Sequence, residues 1–166
     1  MNIFMLSADP ARCAEMHTDK HVVKMFTEQL QLLSTAHHHF GSTVHGMYKA
    51  THANHPSAVW ARESSANYEW LWRLTVELGR EYTRRYGKVR KAVEDGLVDR
   101  LRKPPKNIPT RSLTKPKPAM PDEYVVSSPV QSYRNYYAGA KSHLFVWTNR
   151  RMPNFLAGYG YEENFK

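Results

Sequence analysis

The chain has 166 residues, of which 41% are hydrophobic, so it can bury one sizeable core and a second domain is not expected. Its 24 Lys and Arg against 15 Asp and Glu give a formal net charge of +9, which favours a polyanionic partner, first of all nucleic acid. No long apolar run and no signal peptide are visible, and the single Cys13 excludes an internal disulfide, so we expect a soluble cytoplasmic protein without a membrane partner.

The first elements follow from apolar spacing and capping residues. The apolar start at residues 1–6 predicts a short strand, and Asp9 followed by Pro10 predicts a helix that runs to Met16. Residues 17–35 then fit one long helix, at about 100° per residue, with a brief break from the preceding helix expected at Thr18 or Asp19. Its apolar face is expected to lie in the core and comprises Val22, Val23, Met25, Phe26, Leu30 and Leu33, with Gln29 as the polar exception.

The opposite face of this helix has an unusual set of polar side chains. It combines two imidazoles four residues apart with two lysines and a carboxylate: His17, Lys20, His21, Lys24 and Glu28, followed by Gln31 and Thr35. A purely solvated face would carry Lys and Glu, with Lys24 and Glu28 paired at i, i+4. The two histidines indicate instead that this face is the wall of a functional site.

A loop separates this helix from the next. Residues 41–56 show neither helical nor strand periodicity, and Pro56 favours an extended backbone at His55, which would hold that imidazole in a defined direction. Asn54-His55-Pro56 is therefore a second candidate site element. A plain turn before the next helix is the simpler alternative.

Two further helical regions are predicted by their caps. The tract from 56 to 87 is helical with a new N-cap at Ser64, and Ser128 opens a later helix that continues toward Trp147 and packs against the first long one. The sequence thus predicts a mostly α fold, a compact single-domain helical bundle over residues 1–166 with a short extended N-terminal segment and a long basic loop.

Half of the positive charge lies in one segment. Between residues 84 and 118 there are twelve Lys and Arg and only three acidic residues. Two proline-containing runs, at 103–106 and 115–118, oppose regular structure, so residues 88–118 are expected to form a mobile cationic loop that contacts DNA phosphates. We predict this contact for Arg100, Arg102, Lys103 and Lys106.

These motifs also carry a family resemblance. Asp19-Lys20-His21-Val22-Val23-Lys24 with Glu28, followed by Asn54-His55-Pro56 and Trp60, resembles the pattern of pyrimidine dimer DNA glycosylases, which include small phage and bacterial proteins. The resemblance covers residues 1–86. It implies a compact helical enzyme that excises a damaged or modified pyrimidine from DNA, with strand cleavage by β-elimination as an optional second step.

The resemblance also implies a chemistry. In the characterised phage enzyme, the α-amine of a small residue freed by removal of Met attacks the sugar, and a helix carboxylate assists. Here residue 2 is Asn, a side chain that hinders Met removal. The position aligned with the carboxylate holds His21, so Glu28 on the same face is the substitute.

General chemistry assigns roles to these residues. A base must be flipped out of the duplex, and phosphate contacts and stacking offset the cost. Glu28 would stabilise positive charge on the sugar, directly or through water, and His17, His21 or His55 would protonate or hydrogen-bond the departing base. The predicted DNA contacts in this half of the chain are Lys20, Lys24, Asn54 and Arg62.

Other functions remain open from the sequence. His17 and His21 with Glu28 or His55 would suit a metal-dependent nuclease or hydrolase, whereas the glycosylase needs no metal or other cofactor. The charge alone would suit a non-catalytic DNA-binding phage factor. Base recognition would equally serve a transferase that remodels modified pyrimidines.

The attacking group also remains open. For a monomeric glycosylase, water assisted by Glu28 would suffice, and no complex would then be trapped by borohydride. An amine of Lys20, Lys24 or the N-terminus would instead form a Schiff base, because a lysine in a positive, partly buried cluster has a lowered pKa. From the sequence we expect water.

Overall fold

The architecture is built from helices. The computed structural model describes residues 1–163 and shows no β-strand within them, so the predicted mostly α fold is confirmed. The α-helices, in chain order, are α1 (Pro10–Met16), α2 (Asp19–His39), α3 (Pro56–Glu63), α4 (Ser65–Tyr86), α5 (Lys91–Glu94), α6 (Leu97–Arg100) and α7 (Pro129–Ala140). Short 3-10 turns lie at Asp122–Tyr124, Ser142–Leu144 and Asn154–Tyr159. None of these helices is long and apolar enough to cross a membrane.

The short strand predicted at the N-terminus is wrong. Residues 1–6 have no regular structure, although they run beside α2. Phe4 has a positive φ of 42°, and the Leu6 N–H donates to the Phe4 carbonyl at 2.8 Å, so the chain turns where a strand would continue.

Helix α2 is the central element and packs antiparallel against α4. The Thr75 hydroxyl of α4 donates to Gln29 Oε1 at 3.2 Å, which gives a partner to the amide oxygen of the one polar side chain on the apolar face of α2. Further along the pair, a Cβ on Gly79 would meet the Phe26 ring at 3.1 Å. The small residue thus permits close contact between the two helices.

Two assignments on α2 are wrong. Val23, predicted in the core, is 38% exposed beside Lys24, at the edge of the apolar face. Thr35, predicted on the polar face, is buried because the loop after α2 covers it, and its hydroxyl accepts from the Thr51 N–H at 3.1 Å. Helical periodicity gives the direction of a side chain, but not which directions other segments cover.

The long helix also begins later than its periodicity predicts. Helix α1 ends at Met16 and α2 starts at Asp19, with His17 and Thr18 extended between them at ψ angles of 136° and 161°. The Thr18 N–H donates to the Tyr137 hydroxyl at 2.9 Å, so a tertiary partner stabilises the break.

The other helix ends follow their capping residues. The Ser64 and Ser128 side chains cap α4 and α7, and Gly87, with φ of 65°, ends α4, as predicted. Helix α7 ends at Ala140 rather than near Trp147, and a 3-10 turn at Ser142–Leu144 follows it.

The basic segment is anchored rather than free. After α5 and α6 it follows an irregular path, as its prolines require, but Leu101 and Ile108 are buried. Asn67 holds Thr114 with two hydrogen bonds of 2.8 Å, and the Trp60 indole N–H donates to the Thr114 carbonyl at 3.0 Å. The expectation of a mobile loop is therefore wrong at these positions.

A buried ion-pair network attaches the C-terminal segment, residues 141–163, to the helices. Arg85 is buried and donates to Asp19 Oδ1 at 2.9 Å and to Glu81 Oε2 at 3.1 Å. From the C-terminal segment, Arg150 binds the same Glu81 carboxylate and the Thr148 N–H donates to Asp19 Oδ1 at 3.0 Å. Asp19, the first residue of the helix motif, thus has a structural role.

Candidate active site

The first residues of the chain are held in a defined conformation beside the middle of α2. Asn2 Oδ1 accepts from the backbone N–H groups of Ile3 and Phe4 at 2.8 and 3.4 Å, and its Nδ2 donates to the Ala119 carbonyl at 2.8 Å. Asn2 is only 7% exposed. Because its side chain is fixed at both ends, its backbone nitrogen has a fixed direction toward α2.

That nitrogen faces the Glu28 carboxylate. Oε2 accepts from the Asn2 N–H at 3.3 Å and lies 3.8 Å from the amine of Met1, while Oε1 lies 3.7 Å from Lys24 Nζ. The Glu28 side chain is 14% exposed. All three distances exceed those of strong hydrogen bonds, so this carboxylate has capacity left to stabilise positive charge on a bound substrate.

The Asn-His-Pro loop reaches the same region. His55 is the N-cap of α3, and its Nδ1 accepts from the Ser57 N–H at 3.1 Å, which leaves the proton of the neutral imidazole on Nε2. The pKa of His55 is lowered, chiefly by desolvation; the chain's first amine lowers it further and Glu28 raises it. The imidazole and the carboxylate therefore lie within electrostatic range of each other.

The other predicted DNA contacts near this loop have different surroundings. Lys20, Lys24 and Asn54 are exposed, and their side chains are accessible to phosphates. Arg62 is partly buried and donates to the Ala53 carbonyl at 2.6 Å. In this position it holds the Asn-His-Pro loop against α3.

His17 and His21 do not form the exposed wall that we predicted. The His17 Nδ1–H donates to the Cys13 carbonyl at 2.7 Å, and burial lowers the pKa of His17 to about 4. His21 Nδ1 lies 2.7 Å from the Tyr137 hydroxyl, and burial, with positive neighbours, lowers its pKa to about 3. Both are neutral at pH 7 and enclosed, because the rings of Phe4 and Tyr137 pack against them. This placement gives no support to a direct role in protonating a base.

The same placement bears on the metal-dependent alternative. Among residues 1–163, no three His, Cys, Asp or Glu side chains converge as metal ligands would. The His17 and His21 rings are 6.3 Å apart at their centroids, and each Nδ1 already has a protein partner. A metal-dependent hydrolase built on these two histidines has no geometric support.

The four basic side chains assigned to DNA in the second half of the chain divide into two kinds. Arg100 is engaged, since its guanidinium donates to two backbone carbonyls at 3.0 and 2.8 Å and so joins two loops. Arg102 lies 5.7 Å from the centre of the Trp72 ring and is exposed, as are Lys103 and Lys106. These three are accessible to phosphates.

Two lysines near the site are absent from our specific predictions. The chain between Thr114, bound to α3 and α4, and Ala119, bound to Asn2, contains Lys115 and Lys117, both exposed. This path brings both close to the first residues. The charge run contains them, but nothing in the sequence indicates that a carbonyl at position 119 holds residue 2.

An open cleft of about 870 Å³ lies elsewhere, within the C-terminal segment. Its lining includes Phe145, Trp147, Arg151 and Tyr161. None of the predicted catalytic residues lines it, so we place the candidate site on its chemistry rather than on cavity size.

Comparison with known families identifies the group of proteins to which the chain is related. A family model described as pyrimidine dimer DNA glycosylase matches residues 1–95, more than half of the chain, including Glu28 and the Asn-His-Pro loop. The resemblance indicated by the helix and loop motifs is confirmed. No curated protein and no solved structure matches the chain.

Proposed function

Since the chain belongs to the pyrimidine dimer DNA glycosylase family, we propose that it excises a damaged or modified pyrimidine from duplex DNA. The observation that carries the proposal is the Glu28 carboxylate, 14% exposed, facing the backbone nitrogen of Asn2 and the chain's first amine. Breaking the bond between sugar and base builds positive charge on the sugar. A carboxylate in this position stabilises that charge.

The same site supplies partners for the base and the phosphates. Excision requires the target nucleotide to leave the duplex, and Lys20 and Lys24 offset part of that cost by binding flanking phosphates. His55 presents Nε2–H, since its Nδ1 is occupied by the Ser57 N–H. It donates a hydrogen bond to the base, which leaves with the electron pair of the broken bond.

The proposed nucleophile is the chain's first amine, which is buried beside Glu28. Lys24 is 69% exposed and Lys20 is exposed, so neither has the partly buried environment that an activated lysine needs. The chain's first amine lies 3.8 Å from Glu28 Oε2, and if Met1 is removed the Asn2 nitrogen, at 3.3 Å, takes its place. In its neutral form the amine bonds to the sugar C1′ as the bond to the base breaks, the base leaves with the electron pair of that bond, and the proton of the attacking nitrogen passes to solvent. Opening of the sugar ring then gives the Schiff base that borohydride reduces. We therefore favour an amine over the water expected from the sequence.

A panel of duplex DNAs tests this function. Each duplex carries one pyrimidine lesion, beginning with the cyclobutane dimer, or one naturally modified phage pyrimidine, and is assayed for released base, strand cleavage and a borohydride-trapped complex. We expect base release and trapping on at least one substrate. Mass spectrometry of the protein and of the trapped peptide identifies the residue that carries the amine.

The other outcomes identify the alternatives. Base release without trapping would restore water as the nucleophile. DNA binding without chemistry on any substrate would indicate a non-catalytic DNA-binding factor. A changed substituent on a base that stays attached would indicate a transferase.

A further inference from the structure

Phe4 has a backbone conformation that phenylalanine rarely adopts. Its φ of 42° lies in the left-handed region, where the backbone of a residue with a Cβ is strained. Within residues 1–163 only His52 and Asn149 share a positive φ among non-glycine residues. Such a conformation persists only where surrounding contacts determine it, so the contacts of Phe4 identify what sets the path of the first residues.

The closest aromatic contact of Phe4 is with His21. The two ring centroids are 4.4 Å apart and the planes are inclined by 23°, so the rings stack. Tyr136 is nearly parallel to Phe4 at 6.0 Å, and the Cys13 thiol donates to the Phe4 carbonyl at 3.3 Å. Phe4 is only 4% exposed, so its position depends on these contacts.

His21 is itself fixed by a buried hydrogen-bond chain. Its Nδ1 lies 2.7 Å from the Tyr137 hydroxyl, which accepts from the Thr18 N–H at 2.9 Å. The same hydroxyl donates to Thr18 Oγ1 at 3.4 Å, so Tyr137 is held between Thr18 and His21. The orientation of the imidazole is therefore set by α7.

We propose that His21 is a positioning residue for the candidate active site. Its ring fixes Phe4, the Phe4 N–H is bound by Asn2 Oδ1 at 3.4 Å, and the Asn2 backbone nitrogen lies 3.3 Å from Glu28 Oε2. His21 and Glu28 are seven residues apart on one face of α2, roughly 10 Å along its axis, and residues 2–4 lie beside that interval. The catalytic consequence rests on the proposed glycosylase function, whereas the positional role stands without it.

The same helix carries a matched control. His37 is 3% exposed, and its Nε2 lies 3.0 Å from the Tyr68 hydroxyl, so it repeats the histidine–tyrosine pair of His21. Its Nδ1 lies 3.0 Å from the Ser42 hydroxyl, and it is sixteen residues from His21, roughly 24 Å along α2. Its replacement removes similar packing and bonding at the opposite end of α2 from His21 and Phe4.

The experiment compares His21→Ala, His21→Phe and His37→Ala in the full chain, under conditions where each is folded. Amide hydrogen exchange at residues 3 and 4 reports the path of the first residues, and single-turnover base release at saturating DNA reports chemistry. We expect His21→Ala to raise exchange and lower turnover, each by about tenfold or more, with DNA affinity within about twofold. His21→Phe, which keeps the ring stack, retains most of both properties. His37→Ala loses similar thermal stability and changes neither.

Equal exchange at residues 3 and 4 in His21→Ala and His37→Ala would overturn the positional role. If the wild type releases no base, the glycosylase proposal fails, while exchange still decides the role of His21. If exchange rises but turnover does not fall, His21 positions the segment without consequence for catalysis, and the proposal is overturned in that part. Should His21→Ala not fold, Phe4→Leu removes the same stack from the other side.

Discussion

Two nearly buried glutamates have opposite surroundings. Glu81 is 6% exposed, and its Oε2 accepts from Arg85 Nε at 3.1 Å and from Arg150 Nε at 3.0 Å. Burial alone would raise the pKa of its carboxyl, but the bonds and charges of the two arginines outweigh it and hold the pKa below its ordinary value. Glu28 is 14% exposed, and its three nitrogen neighbours lie at 3.3–3.8 Å.

The difference separates a structural carboxylate from one available for chemistry. Glu81 is saturated by guanidinium donors, so its charge is used to hold α4 against the C-terminal segment. Glu28 has only long contacts, one of them to an exposed lysine that can move toward a phosphate. A carboxylate that is partly desolvated but weakly paired can respond to charge that develops on a substrate.

The largest expected effect of this contrast is on stability. Glu81→Gln leaves Arg85 buried without its full counter-charge, which should lower the free energy of unfolding by about 3–5 kcal/mol. The same substitution at Glu28 should cost less than about 1 kcal/mol, because its contacts are weak. Urea denaturation of both variants measures the difference. Equal losses would mean that the two carboxylates do not differ in structural role.

Low pH should destabilise the protein because His17 and His21 are buried as neutral imidazoles. The pKa of His17 is lowered from 6.5 to about 4 by burial, so the unfolded chain binds a proton that the fold excludes. Above pH 6.5 this imidazole does not oppose folding. As the pH falls from 6.5 toward 4, protonation of the unfolded chain lowers the free energy of unfolding by on the order of 3 kcal/mol. His21, with a pKa near 3, acts in the same direction.

Urea denaturation between pH 7 and pH 4 checks this expectation. His17→Gln provides the control, because its amide can donate to the Cys13 carbonyl without titrating. The variant should show a shallower loss over the same interval. A flat stability profile in the unmodified protein would contradict the burial of neutral imidazoles.

A smaller effect is expected among the basic residues, which likewise divide into side chains bound by the protein and side chains available to a substrate. Replacing the exposed Arg102, Lys103 and Lys106 with Gln should flatten the dependence of log affinity on log salt by about 0.9 for each phosphate that is no longer neutralised. Arg100→Gln should leave the slope unchanged and lower stability, because its donors bind backbone carbonyls. Filter binding or fluorescence anisotropy over a salt series measures both. An unchanged slope in the triple variant would remove this stretch from the interface.

Local chemistry made much of the fold predictable. Asp9, Ser64, Gly87 and Ser128 end or begin helices because their own side chains or backbone conformations satisfy helix termini. Glu28 was recognisable as a candidate because a carboxylate among lysines and histidines is visible from helical spacing alone. These properties depend on residues within a few turns of one another.

What could not be predicted depends on partners distant in the sequence. The burial of His21 depends on Tyr137, which is 116 residues beyond it. Asn2 is held by a carbonyl 117 residues away, and a backbone acceptor leaves no trace in the sequence. Periodicity placed His21 on the face of Glu28. Only the tertiary structure shows that His21 is covered, whereas the Glu28 carboxylate keeps part of its surface exposed.

We propose Glu28 as the catalytic carboxylate, and the Glu28→Gln variant is the decisive test of that role. Single-turnover base release from the cognate duplex should fall at least about a hundredfold, with fold and DNA affinity retained, because the charge that stabilises the sugar cation is removed. Glu81→Gln, compared under conditions where it is folded, should release base at nearly the normal rate. Full activity in Glu28→Gln would rule out this role for Glu28 and assign it to another carboxylate, with Glu63 and Glu15 the next to test.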